Sequence, residues 1–152
     1  MNKTLLIFLG LIGALLIALL GGKLYINSQS EAQYEAVVRD IGENTQTNAN
    51  AAGAKILFVS IQKQDPSPEF LARFQGATYA VRPGSRALGG QRFSGSLTKD
   101  NQTGESGLEV RITSTIWTGF DKAVVYANGY GFVVTNESGS WRVKYVTMMV
   151  VG

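Results

Sequence analysis

The sequence predicts an α+β protein: an N-terminal transmembrane helix, then an amphipathic helix packed on a curved antiparallel sheet, the arrangement of a cystatin-like cone. Three observations lead there. Thr4 to Gly22, TLLIFLGLIGALLIALLGG, is nineteen residues without a charge. Tyr34, Val37, Val38 and Ile41 then recur at helical spacing. From Arg92 onward, β-rich runs are separated by connections rich in Gly, Asn and Asp.

The apolar run can satisfy its backbone polar groups in lipid only as a helix, and about 20 residues are needed to cross the hydrocarbon core. It reads as an anchor or as a signal peptide. Lys3 supplies a basic head, but the apolar core from Leu5 to Leu20 is at or past the roughly 7 to 15 residues of a cleavable signal. Cutting after Gly21 or Gly22 would leave Leu19 or Leu20 at the −3 position, where small residues are required. Retention is therefore favoured over cleavage. With Lys3 on the short side, the C-terminal part is expected outside the cytoplasm. The expected partition is an anchor or uncleaved signal over residues 1–22, a juxtamembrane linker over 23–30 and an extracytoplasmic domain over 31–152.

Composition narrows the chemistry. The 152-residue chain has no cysteine and no histidine. Ser-His-Asp and Cys-His nucleophile systems are thereby excluded, as are the usual zinc sites. Setting Lys3 aside, 13 Lys+Arg face 11 Asp+Glu, too even a balance for a nucleic-acid footprint. No cofactor is implied, and Gly84 to Gly90 lacks the Gly-Lys-Ser/Thr of a phosphate-cradling loop.

Element by element, Ser30-Glu31-Ala32-Gln33 has the form of a capping box opening the amphipathic helix, and Gly42 is a plausible stop. Asn44 to Gly53 reads as a loop or a frayed extension, with a continuous helix to Gln62 as the competing reading. Ala54 to Gln62 is a short β-branched run suited to a strand buried on both faces. Ser67 caps a short helix with Pro68 in its first turn, Glu69 at its positive end and Phe70, Leu71 and Phe74 on its apolar side, closed by Gly76. Strands are expected over Arg92–Thr98, Leu108–Thr118, Lys122–Thr135 and Ser140–Val151. In the last, Trp141, Val143 and Tyr145 alternate with Arg142 and Lys144, but beyond Tyr145 both faces are apolar. That end should be central in the sheet or covered by the helix or a partner.

Several of these landmarks together resemble a family of small, mostly exported bacterial proteins with no assigned activity. The resemblance is carried by Ala36-Val37-Val38-Arg39, the strand Ile56 to Ile61, Asp65-Pro66-Ser67-Pro68-Glu69-Phe70-Leu71-Ala72-Arg73-Phe74 and Val81-Arg82-Pro83-Gly84-Ser85. It continues through Thr103 to Leu108, Trp117, Gly129-Tyr130 and Ser140-Trp141-Arg142-Val143, and so spans roughly Ala36 to Val146. It implies one α+β domain of helix-on-sheet type and no reaction. Members often carry histidines after the helix arginine and a C-terminal tryptophan; this chain has neither.

The candidate ligand-binding residues are Arg82, Ser85, Arg86 and Arg92. Between Glu69 and Asp100 there is no acidic residue, and Arg82-Pro83-Gly84-Ser85-Arg86 presents two guanidinium forks and a hydroxyl to a carboxylate or phosphate. The bland alternative is a solvated loop whose arginines pair with carboxylates elsewhere. The acid pairs Glu105/Glu109 and Asp40/Glu43 read as solvated faces, and the aromatics Trp117, Tyr126, Tyr130, Phe132, Trp141 and Tyr145 as core or as the lining of a concave sheet. The function these features suggest is a membrane-tethered extracytoplasmic binding or accessory domain without catalysis, for an anionic ligand or a protein partner. A type IV pilin-like filament subunit is the alternative, and a hydrolase using carboxylates alone a more distant one.

Overall fold

The computed structural model describes residues 12, 13, 15, 29–45, 54–88 and 97–148. The chain divides into two units, Met1–Glu31 and Ala32–Gly152. In the first, Ile12, Gly13 and Leu15 are helical, and Ile12 and Leu15 are exposed. Among the described residues no helix is long and apolar enough to cross a membrane. The rest of the Thr4 to Gly22 run, most of the linker and residues 46–53 lie outside the described residues.

In the second unit one helix packs on a mixed seven-stranded sheet. Helix α1 covers residues 29–45, and its part from Ala32 onward belongs to this unit. Its apolar stripe is the expected one: Tyr34, Val37 and Val38 are buried and Ile41 packs at the margin. They meet Leu57, Val59, Val110, Ile112, Val125 and Val134 of the sheet, each fully buried aliphatic side chain contributing roughly 1.5–3 kcal/mol. Gly42 does not stop the helix. It is buried inside it, where a Cβ would meet the ring of Tyr79. It is glycine for close approach rather than for termination.

Strand β1 (Ile56–Ile61) is buried on both faces at its first four residues, as its unbroken apolar run predicts. Helix α2 (Pro68–Ala72) starts as expected, with the Ser67 hydroxyl accepting from Phe70 N–H at 3.1 Å, and Gly76 at φ +88° ends the turn that follows. Strand β2 (Ala80–Pro83) then pairs parallel to β1. β3 (Leu97–Lys99) and β4 (Ser106–Trp117) follow, and then β5 (Lys122–Ala127), β6 (Tyr130–Glu137) and β7 (Ser140–Met148). The order is β2-β1-β4-β5-β6-β7, with β3 also on β4.

Three expectations about the sheet are corrected. It is mixed, because β1 runs parallel to both β2 and β4. The segment between β1 and β2, with α2 inside it, is long enough for the crossover that parallel strands require. Second, Lys122 to Thr135 is two strands. Asn128 and Gly129 adopt φ of +53° and +78°, the paired left-handed conformation of a tight hairpin turn, and Ser138-Gly139 repeats it. Third, of the placements expected for the end of β7, the central one is corrected: β7 is the edge strand, and Tyr145, Val146 and Met148 are exposed, as a face awaiting a partner would be.

Candidate functional site

The register sorts β1, β2 and β4 by face. Leu57, Val59, Val110 and Ile112 belong to the core under α1, so their neighbours Phe58, Ser60, Glu109 and Arg111 point away from it. Arg82 pairs with Phe58 and therefore shares that second face. On this face Gly107 allows close approach: a Cβ there would lie 2.6 Å from the Phe58 ring.

Arg82 and Arg86 are brought together, but around a carboxylate of this same chain. Arg82 donates to Asp100 Oδ2 at 2.6 Å and to Glu105 Oε2 at 2.8 Å. Arg86 donates to Asp100 Oδ1 at 2.9 Å, as do the backbone N–H groups of Gln102 (2.7 Å) and Thr103 (3.1 Å). The Asp100 side chain is wholly buried. Burial alone would raise its pKa; the bonds from Arg86, Gln102, Arg82 and Thr103 outweigh that and hold the carboxyl far below the usual carboxylate range. Glu105 is also lowered, by the Thr103 hydroxyl and by Arg82. Two guanidinium groups thus face two carboxylates, and the clamp ties the 3₁₀ turn Gly84–Arg86 to residues 100–105. Arg92 lies outside the described residues. Asp100 escaped the sequence reading because nothing in its neighbourhood marks it as buried.

Beside the clamp, on the same face, is a cavity of about 680 Å³ whose lining residues are mostly polar in type. Its floor is β4. Arg111 donates from Nε and Nη2 to the two oxygens of Glu109, at 2.8 and 2.7 Å. Glu109 is buried, so the expectation of a solvated acid is corrected there; Glu105 is exposed as expected. The main chain beneath the pair is held by Asn128, whose side-chain oxygen accepts from Arg111 N–H (2.8 Å) and whose amide donates to Glu109 O (3.0 Å). Ser60 and Thr113 add hydroxyls to the walls, and Ser85, the third predicted ligand residue, lines the rim with Lys63 and Asp65. Asp65 is occupied by the Ser85 N–H at 2.9 Å.

Lys63 was not singled out by sequence reasoning. It sits in a two-residue turn closed by mutual backbone bonds between Ile61 and Gln64 of 2.8 and 3.0 Å. Gln62 and Lys63 take φ of +51° and +67°. Neither is Gly, Asn or Asp, so the left-handed backbone costs of order 1–2 kcal/mol at each. The strain aims a cation along the rim of the cavity. Among the described residues Lys63 forms no ion pair, which distinguishes it from Arg82, Arg86 and Arg111.

No three or more acidic side chains gather as a metal site among the described residues. The comparisons add no relative: no known family, no curated protein and no solved structure matches this chain.

Proposed function

We propose that this chain is a membrane-tethered, extracytoplasmic binding domain that does no catalysis and takes a small ligand bearing a carboxylate or phosphate in the cavity above β4. The observation that carries the ligand reading is the strained Gln62-Lys63 turn, which places a lysine with no ion pair among the described residues on a cavity lined also by Ser60, Ser85 and Thr113, with Asp65 the other charge on its rim. Arg82 and Arg86 serve it indirectly, by fixing the Ser85 turn, and not as the anion's own ligands. Catalysis is disfavoured because Glu109 is tied up by Arg111, which leaves Asp65 without a second free acid in the cavity, and the chain has no histidine or cysteine to act with it.

The tether is the uncharged run Thr4 to Gly22. The cystatin-like curvature belongs to this proposal too, supported by bulges in β4 near Thr113 and in β7 near Lys144, where strands bend most readily. The test is protease shaving. Intact cells or spheroplasts should lose the C-terminal domain to added protease while an N-terminal fragment stays with the membrane pellet through alkaline carbonate. Full-length protein in the cytosol, or chain recovered in shear-released surface filaments, overturns the tether.

A further inference from the structure

Among the described residues, nothing covers the tip of the β4–β5 hairpin. Phe120 is 102% exposed at the apex, between Thr118 and Asp121. The bonds from Thr118 N–H and Gly119 N–H to Lys122 O, 3.0 and 3.1 Å, hold the tip closed, so the ring is presented on a rigid turn. Ile116 and Trp117, successive residues of β4, point to opposite faces of the hairpin and are 53% and 36% exposed. Trp117 is braced edge-on against buried Trp141 at 5.6 Å. Behind this apolar end lies a cationic collar. Lys122, Thr135 and Arg142 form one cross-strand row, and neither cation forms a salt bridge among the described residues. Of the carboxylates here, Glu137 is taken by Lys144, with Arg142 acting on it at longer range, which leaves Asp121 against two cations.

We infer that this tip docks on the surface of an anionic bilayer, with Phe120, Ile116 and Trp117 entering the interface and Lys122 and Arg142 meeting lipid phosphates. The chemistry fits: an apolar apex flanked by a tryptophan sits at headgroup depth, and cations beside it are drawn to an anionic leaflet. The inference rests on the tether proposed above, which puts a bilayer within reach; a protein partner for the same tip is an outcome the test separates.

The experiment uses full-length protein reconstituted into phosphatidylcholine/phosphatidylglycerol vesicles carrying a shallow nitroxide lipid. The chain has two tryptophans. Trp141→Phe, which keeps Trp117, should retain the quenching of tryptophan emission, and Trp117→Phe should reduce it about threefold, as expected for a ring at the interface. Phe120→Ser, and separately Lys122→Glu with Arg142→Glu, should reduce it to the same level. Quenching that is absent, that survives these changes, or that is as strong in pure phosphatidylcholine overturns the docking and leaves the tip to a protein. Flotation at alkaline pH reads the tether independently: unquenched protein that floats refutes only the docking. Protein that does not float refutes the tether, and the same quenching measured with vesicles added from outside then decides the docking.

Discussion

Gly42 and Tyr79 share one space: a Cβ on the glycine would fall within 2.6 Å of Cζ, Cε1 and Cε2 of the tyrosine ring. The contact sets how closely α1 lies over the segment entering β2. Gly42→Ala raises helix propensity yet should lower unfolding free energy by about 1–3 kcal/mol, since overpacking outweighs a propensity gain of about 1 kcal/mol. In a Tyr79→Leu background the same substitution should cost less. Urea titration of the four proteins measures the coupling.

The Asp100 clamp predicts an acid limb. Its folded-state pKa is depressed, so its contribution is complete above the unfolded value near 4 and is lost as pH falls from there toward the folded value. Glu105 acts in the same direction. Melting temperature should therefore drop below about pH 4, and Asp100→Asn should melt lower than wild type at pH 7 with a flatter acid limb. Equal slopes in the two proteins would contradict the clamp.

Gln33 is fully buried in α1, and neither its amide nitrogen nor its oxygen has a partner among the described residues. An unsatisfied buried amide costs about 1–3 kcal/mol, so Gln33→Met should stabilise by about 1 kcal/mol. Thermal unfolding by circular dichroism reads the sign.

Asn128 combines a left-handed backbone with two side-chain bonds to β4. Asn128→Ala should cost about 2 kcal/mol, and Asn128→Gly less, because glycine restores the turn but not the bonds. Chemical denaturation of both variants ranks them.

Much of this was legible in the chain. Ser67-Pro68 announced α2, the stripe of Tyr34, Val37 and Val38 announced α1, and the unbroken Ile56–Ile61 run announced a doubly buried strand. Asn128-Gly129 was equally explicit but was overridden by the apolar residues on both sides of it. The parallel pairing of β1 was implicit in a strand, helix and strand in succession, and the all-antiparallel reading ignored the crossover. The site was harder. Arg82 and Arg86 converge as their spacing suggested, but the group they converge on is Asp100, and only folding reveals that. Lys63 and Glu109 owe their importance to backbone strain and burial, neither of which residue type encodes.

The measurement that bears most directly on the central claim is titration of the full-length protein in detergent with phosphate and with citrate, wild type against Lys63→Gly. Glycine relieves the left-handed strain, so the variant should be at least as stable, by up to about 1 kcal/mol, while losing about tenfold in affinity for whichever anion binds. Equal binding by both proteins, or no binding of either anion to wild type, would contradict the cavity as an anion site.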